Sequence, residues 1–308
     1  MKASTLIIAT VMLTMGTSCK NNNETKTVDD KHLQSETFYD SKAGNKANKV
    51  NEVNRTNKVN GENKANENNG VNQYEIPAPL KNRSEQILRR LGYTVSYNAQ
   101  TRCPNWVAWH LTKSHTYGKN QRTEQQFTED TDVAAPRATD DDYYNSRYDR
   151  GHLCPAGDNK WDPKAMSESF LFTNICPQNH GLNKYEWNDL EILCREWARE
   201  YGAIDIVCGP IYDKPVATGR QETAQQKTIG RNKVWVPTRL FKVVLCRKGA
   251  PKAIGFIYAN EGRKQYMSEA VCTVDEVERI TGIDFFPALD DQLENRIEAE
   301  ARLSDWKR

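Results

Sequence analysis

The stretch Phe172-Thr173-Asn174-Ile175-Cys176-Pro177-Gln178-Asn179-His180-Gly181-Leu182-Asn183-Lys184-Tyr185-Glu186-Trp187-Asn188-Asp189-Leu190-Glu191 is dense in amides and runs directly into apolar residues at helical spacing. Trp187, Leu190, Cys194 and Trp197 recur at three and four residues, which predicts an amphipathic helix from about Lys184 to Tyr201, ended by Gly202. Asn183 and Glu191 then stand on roughly one side of that helix, about 12 Å apart along its axis. Either could face a hydrated metal ion.

Upstream lies Tyr148-Asp149-Arg150-Gly151-His152-Leu153-Cys154-Pro155-Ala156. Gly151 and Pro155 mark irregular backbone, and Asp149 and Arg150 bring opposite charges beside an imidazole. Chemically this offers His152 as a general base, Asp149 as its orienter and Arg150 as a phosphate clamp. A lone histidine in a turn is more often structural, so the segment gains its meaning from the amide-rich stretch that follows. The chain has only five histidines. His32 falls in a polar N-terminal stretch, and His110 and His115 surround a strand without a candidate ligand partner. His180, close to Asn183, could touch substrate.

In this order, the two segments resemble the DNA/RNA non-specific endonuclease family, the ββα-metal (His-Me finger) nucleases that include endonuclease G-like enzymes. The likeness runs from about Tyr74 to about Pro287 and takes in Trp106-Val107-Ala108-Trp109, Cys208-Gly209-Pro210-Ile211-Tyr212 and Val274-Asp275-Glu276-Val277-Glu278. It implies an α+β fold with a central antiparallel sheet flanked by helices. It also implies hydrolysis of phosphodiester bonds in DNA and RNA without sequence specificity, with Mg2+, or else Mn2+, as cofactor. Carried over residue by residue, His152 becomes the general base acting on water, Asn183 the direct protein ligand of the ion, and Glu191 a second holder of the ion through water. Arg150 would help organise the catalytic site, and Arg122, in Gly118-Lys119-Asn120-Gln121-Arg122, matches a further catalytic arginine. Asn174 and Gln178 match active-site amides on the substrate side, and Arg195, one turn after Glu191, would contact phosphate. The sequence departs from the commoner family pattern at Cys154 and Cys176, each two residues beyond a proposed active-site residue. A disulfide between them, clamping the site, is the expectation; two separate thiols are the alternative.

These residue types suit the chemistry. An imidazole with an ordinary pKa of about 6.5 takes a proton near neutrality. Mg2+ binds proteins through few ligands and keeps several waters, and a neutral Asn ligand leaves its charge for the substrate. Water would attack phosphorus and expel the 3′ oxygen, leaving 5′-phosphate ends, and contacts confined to the backbone would explain tolerance of sequence. Two other readings compete: a catalytically inactive surface lipoprotein that binds nucleic acid, and a phosphodiesterase for smaller substrates.

Around this centre, Trp106–Leu111, Ile204–Cys208, Leu240–Leu245 and Ala253–Tyr258 read as strands of one sheet. Thr273 and Glu276 read as a capping box opening a helix that Gly282 ends. Alternating charges from Asp290 to Arg308 read as a solvated helix face. Residues 75–308 form the expected nuclease domain. Before it, residues 20–74 are dominated by Asn, Lys, Glu and Val in loose repeats such as Asn57-Lys58-Val59-Asn60 and Asn63-Lys64-Ala65-Asn66, too poor in bulky apolar groups to offset chain entropy. They read as a flexible tether. Residues 1–19 read as a lipoprotein-type signal peptide: Lys2, the short apolar run Thr5–Met15, and Gly16-Thr17-Ser18 before Cys19 as the lipidation site. The expected location is therefore a bacterial cell envelope through a lipid anchor, otherwise the periplasm or secretion.

Lys and Arg total 43 against 41 Asp and Glu, a formal +2, so any nucleic-acid binding must come from a local patch. Of eight cysteines, seven remain beside Cys19. An odd number leaves at least one thiol free, and the lack of C-x-x-C spacing argues against a zinc site. Cys208 and Cys246 read as buried thiols in strands.

Overall fold

The computed structural model describes residues 74–213 and 226–307. The signal peptide, Cys19 and the tether, save Tyr74 at its end, lie outside the described residues. In chain order the strands are β1 (Gln86–Arg89), β2 (Thr94–Asn98), β3 (Cys103–Thr112), β4 (Asp149–His152), β5 (Ile175–Gln178), β6 (Ala203–Ile211), β7 (Thr228–Ile229), β8 (Val234–Trp235), β9 (Arg239–Cys246), β10 (Lys252–Ala259) and β11 (Val271–Cys272). The helices are α1 (Asp140–Tyr143), α2 (Pro163–Glu168), α3 (His180–Lys184), α4 (Glu186–Tyr201), α5 (Met267–Ala270), α6 (Val274–Thr281) and α7 (Asp291–Glu298).

Seven strands make one antiparallel sheet in the order β1-β2-β3-β6-β9-β10-β11. Its middle is the four runs read as strands from their β-branched and aromatic content, β3, β6, β9 and β10. Both faces are buried, and the alternation of side chains along each strand sorts the core in two. Trp106, Ala108, Val207, Phe241, Val243 and Leu245 point to one face and pack with Val274 and Val277 of α6, Phe285, Phe286 and Ile297 of α7. Val107, Trp109, Leu111, Ile206, Cys208 and Val244 point to the other, beneath Trp187, Leu190, Cys194 and Trp197 of α4. The fold is thus α+β with helices on both sides of a central antiparallel sheet.

On the α4 side, β4 and β5 form a separate two-stranded ribbon, pairing Asp149 with Gln178 and His152 with Ile175. The chain leaves β5, makes α3, turns and enters α4, giving a β-β-α unit. The turn corrects the single helix expected from Lys184: Tyr185, at φ −113° and ψ −86°, separates α3 from α4, so Asn183 and Glu191 sit on two helices. The apolar spacing begins only at Trp187, so it carried no information about the turn before. What sets α3 is polar: Asn179 caps it by accepting from Gly181 N–H at 2.9 Å, and Asn260 Oδ1 holds Asn179 N–H at 2.7 Å. Gly202 ends α4 at φ +89°, as expected.

Two expectations for the C-terminal part need adjusting. Thr273 does accept from Glu276 N–H at 3.1 Å, and Gly282 is left-handed at φ +67°, but the Glu276 carboxylate turns to Arg279 rather than back to Thr273. The tail after Asp290 is no solvated face throughout. Among the described residues Asp291–Glu298 is α-helical and Leu303–Asp305 a single 3-10 turn, Ile297 and Glu298 are buried, and Trp306 packs 4.4 Å from Trp197.

The expected disulfide is absent: Cys154 and Cys176 are both free and buried. Cys176 lies opposite Gly151 in the ribbon and joins Cys103 and Cys208 in the core. Cys154 lies beyond β4, where its sulfur accepts from Asn159 Nδ2 at 3.3 Å. Equal sequence offsets from two active-site residues gave no information about the directions of the two thiols. Cys208 and Cys246 are buried strand thiols, as read.

Candidate active site

The ribbon, α3 and the first turns of α4 enclose a cleft of about 490 Å³ lined by Arg122, Asp149, His152, Pro155, Ala156, Gly157, Lys160, His180, Asn183, Lys184, Asn188, Glu191 and Arg195. Of the residues singled out from sequence, it brings together His152, Asn183, Glu191, Arg122 and Arg195, with His180 at the rim.

His152 closes β4 and is 6% exposed. Its ring lies 5.3 Å from Phe127 and edge-on to Phe170 at 4.8 Å, while its Nε2 is buried without a hydrogen-bond partner. Burial, reinforced by the positive charge of Arg122, pushes its pKa down to about 3. The imidazole is therefore neutral near pH 7 and has a ring nitrogen available to accept a proton. Its backbone carbonyl accepts from Trp187 Nε1 at 3.3 Å, which ties His152 to α4.

Asp149 does not orient His152. Its Oδ2 accepts from His180 Nδ1 and from Asn183 Nδ2, both at 2.9 Å. A carboxylate only accepts, so the Asn183 nitrogen must face Asp149 and the amide oxygen is left for another partner. Glu191, half-buried one helix further on, accepts no hydrogen bond among the described residues. Burial pushes its pKa up to about 7, against the pull of Lys242 and Arg195. One oriented amide oxygen and one carboxylate are hard oxygen donors of the kind Mg2+ takes, so the residues present fit the ion that the resemblance implies.

Arg195 Nη1 donates to Asp158 Oδ1 at 3.0 Å, and the other oxygen of Asp158 accepts from Trp109 Nε1 at 3.0 Å. This fixes the guanidinium at the cleft wall. Gly157 leaves room for it, since a Cβ there would meet Arg195 Nη1 at 2.9 Å. Arg122 and Lys160 add two more cations to the lining.

Three of the residues singled out from sequence are not among those lining the cleft. Arg150 is outside the cleft: its Nε donates to Asp140 at 2.5 Å, and its guanidinium lies over the Phe127 and Tyr143 rings. The acidic first turn of α1 holds it, a partner that its sequence neighbours do not reveal. Asn174 is fully buried and structural, accepting from Cys154 N–H and donating to the carbonyls of Cys154 and Ser169. Gln178 is likewise fully buried, its side chain lying against Gly151, where a Cβ would come within 2.3 Å of Gln178 Oε1. Neither amide is among the residues lining the cleft. His110 and His115 keep the structural roles expected: His110 Nδ1 lies 2.6 Å from Asp205 across β3 and β6, and His115 stacks on Trp161.

Sequence reasoning missed Lys242, Asp158, Lys160 and Asn188. Lys242 is fully buried beneath the cleft, its ammonium 5.0 Å and 4.6 Å from the ring centres of Trp109 and Trp187. Burial pulls its pKa down, but Cys208, Cys194, Glu191 and Asp158 outweigh that and raise it. A signal existed, since a lysine inside the apolar run Leu240–Leu245 must find an unusual partner. For Asp158, Lys160 and Asn188 we see no such signal.

The family model for DNA/RNA non-specific endonucleases matches residues 67–292. The mitochondrial nuclease EXOG of Danio rerio is 36% identical over 207 residues, 65% of this chain and 60% of that protein. Human mitochondrial endonuclease G is 31% identical over 207 residues, covering 66% and 70%, and nuclease C1 of Cunninghamella echinulata var. echinulata is 33% identical over 215 residues, covering 67% and 85%. The chain spans 56–60% of the length of the EXOG relatives it matches. Among solved structures, a chain from the EndoG/EndoGI complex superposes with a TM-score of 0.62 at 26% identity, covering 68% of this chain and 89% of that one.

Proposed function

Since the chain belongs to the DNA/RNA non-specific endonuclease family, we propose that it hydrolyses phosphodiester bonds of DNA and RNA without sequence specificity, at the cleft around His152. The observation that carries this reading is a neutral imidazole with a free ring nitrogen, sharing one cleft with an oriented amide oxygen, an unpaired carboxylate and four cationic side chains.

In this reading His152 accepts a proton from the attacking water, a role that needs it uncharged beforehand. Asp149 turns the oxygen of Asn183 toward the cleft, and Asn183 and Glu191 together would hold a divalent ion, Mg2+ or Mn2+. Such an ion, when bound, supplies Lewis acidity at the phosphate. Arg122, Lys160 and Arg195 stabilise the charge that builds on the phosphoryl oxygens, and Arg195 does so from a position already fixed by Asp158. Water attacks phosphorus as the bond to the 3′ oxygen breaks, leaving a 5′-phosphate. The lining offers charge and amides for a sugar-phosphate backbone, which supports indifference to base sequence.

Plasmid DNA and total RNA, digested with Mg2+ and with chelator, test the proposal. Cleavage of both should stop with chelator, and His152→Ala should lower kcat at least 100-fold while leaving the thermal melt in place. Full activity of His152→Ala would sink the assignment of the base. Binding without cleavage by the wild-type chain would leave a nucleic-acid-binding lipoprotein, and cleavage of small phosphodiesters alone a phosphodiesterase.

Export and a lipid anchor belong to the same proposal, supported by Lys2, the apolar run Thr5–Met15 and the small residues before Cys19. Cys19→Ser should move the protein from the membrane fraction to the soluble one with unchanged specific activity. Unaltered membrane association would overturn the anchor.

A further inference from the structure

The face of the sheet opposite the cleft carries a group of carboxylates that phosphodiester hydrolysis leaves unused. Asp275 and Glu278 stand one turn apart on α6, Glu298 closes α7, and one oxygen from each lies within 4.8 Å of the others. Asp275 is exposed and Glu278 half-buried, but Glu298 is only 4% exposed, and its Oε1 is buried without a donor. Glu294 Oε1, one turn earlier on α7, is in the same condition. A buried carboxylate oxygen that meets no donor is costly unless a proton or a cation satisfies it. Among the described residues no cation does so. The charges acting on Glu298 come from Glu278, Glu294, Asp275 and Asp284, all acidic. Arg279 of α6 is committed to Glu276, at 2.8 and 2.7 Å.

We infer that Asp275, Glu278 and Glu298 bind a Ca2+ ion that ties α7 to α6, a site separate from the cleft. Ca2+ takes six to eight oxygens at about 2.3–2.6 Å, so ligand oxygens on opposite sides of it lie roughly 5 Å apart, the spread these three carboxylates already have. Each can bind through one or two oxygens, and the exposed side at Asp275 admits water to complete the shell. Mg2+ fits less well, because it demands near-octahedral geometry and gives up its own waters reluctantly. An all-carboxylate set disfavours the softer transition metals. Glu298 lies beyond the residues 67–292 that the family model matches, so the third ligand comes from this chain's own C-terminal segment. The ion would hold Ile297 in the second core layer and bring an otherwise repelling helix pair together.

Thermal unfolding of the full chain, stripped of metal and titrated with Ca2+, tests this. To silence the cleft, the titration is repeated on Asn183→Ala. Both proteins should show a Tm that rises by roughly 2 °C or more at 1 mM Ca2+. Glu298→Gln should lose the rise and keep its Mg2+-supported nuclease activity. Should Glu298→Gln fold poorly, Asp275→Asn at the exposed edge should weaken Ca2+ binding at least tenfold, read by titration calorimetry. A Ca2+ response that vanishes in Asn183→Ala, or persists in Glu298→Gln, would overturn the site. So would a Glu298→Gln protein that melts above the parent with no Ca2+ effect in either, since the cluster would then be satisfied by a proton.

Discussion

His152 and Glu191 are both perturbed by burial, one pushed down to about 3 and the other up to about 7, so near neutrality His152 carries no charge and Glu191 is only half ionised. In the proposed site protons would therefore compete with the ion at Glu191 and not at His152. Below pH 7 the Mg2+ concentration giving half-maximal cleavage should rise about tenfold per pH unit and level off above it. Activity titrated with Mg2+ at several pH values checks this, and Glu191→Gln should flatten the dependence. An unchanged midpoint between pH 6 and 7 would show that Glu191 does not help hold the ion. Folding stability responds in opposite senses: between about pH 3 and 6.5 the unfolded chain holds a proton at His152 that the folded one lacks, so stability rises with pH. Between the ordinary 4.5 and about 7 the folded chain keeps a proton at Glu191 that the unfolded one releases, so there stability falls with rising pH. At this scale the ordered motif pointed to His152, Asn183 and Glu191, and the fold brings all three into one cleft. Arg150, Asn174 and Gln178 lie away from the cleft's lining, which the sequence did not show because residue type does not say where a polar group finds its partner. Asp140, the backbone of Cys154 and Ser169, and the space beside Gly151 are all set by the fold.

Gly151 shows why the ribbon needs its particular residues. It faces Cys176 across β4 and β5, and a Cβ at this position would come within 2.3 Å of Gln178 Oε1 and 2.5 Å of Gln178 Cβ. Gln178 is fully buried and cannot swing away into solvent. Gly151→Ala should therefore push the two strands apart beside His152, destabilising the fold by about 1–3 kcal/mol and lowering cleavage more than stability alone accounts for. Denaturant melts alongside kcat measure the two effects, and a variant with both unchanged would mean the ribbon yields more than its packing suggests. The other elements were legible to the extent that they bury side chains at a regular period. β3, β6, β9, β10 and α4 announce themselves, whereas the turn at Tyr185 and the return of Trp306 onto Trp197 depend on polar caps and one distant aromatic contact. Periodicity is silent about both.

The molecule as a whole is nearly neutral, +2 from 43 basic and 41 acidic residues, yet its charges are not evenly placed. Arg122, Lys160, Lys184 and Arg195 line the cleft, while Asp275, Glu278, Glu294 and Glu298 gather on the helices behind the sheet. A backbone phosphate approaching the cleft would meet these cations, a local attraction that net charge alone does not supply. If three to four of the cleft cations each neutralise a phosphate, the logarithm of the binding constant for duplex DNA should fall with the logarithm of salt at a slope of roughly −3. His152→Ala protein, which should bind without cutting, allows this to be read by fluorescence anisotropy. The side chain of Lys160 has no ion-pair partner among the described residues, and Lys160→Ala should make the slope less steep by about one. That loss should be the same for duplexes of unrelated sequence, because a lysine acting on phosphate carries no information about the base. A loss that varied with sequence would place Lys160 against a base edge and remove the physical ground for indifference to sequence.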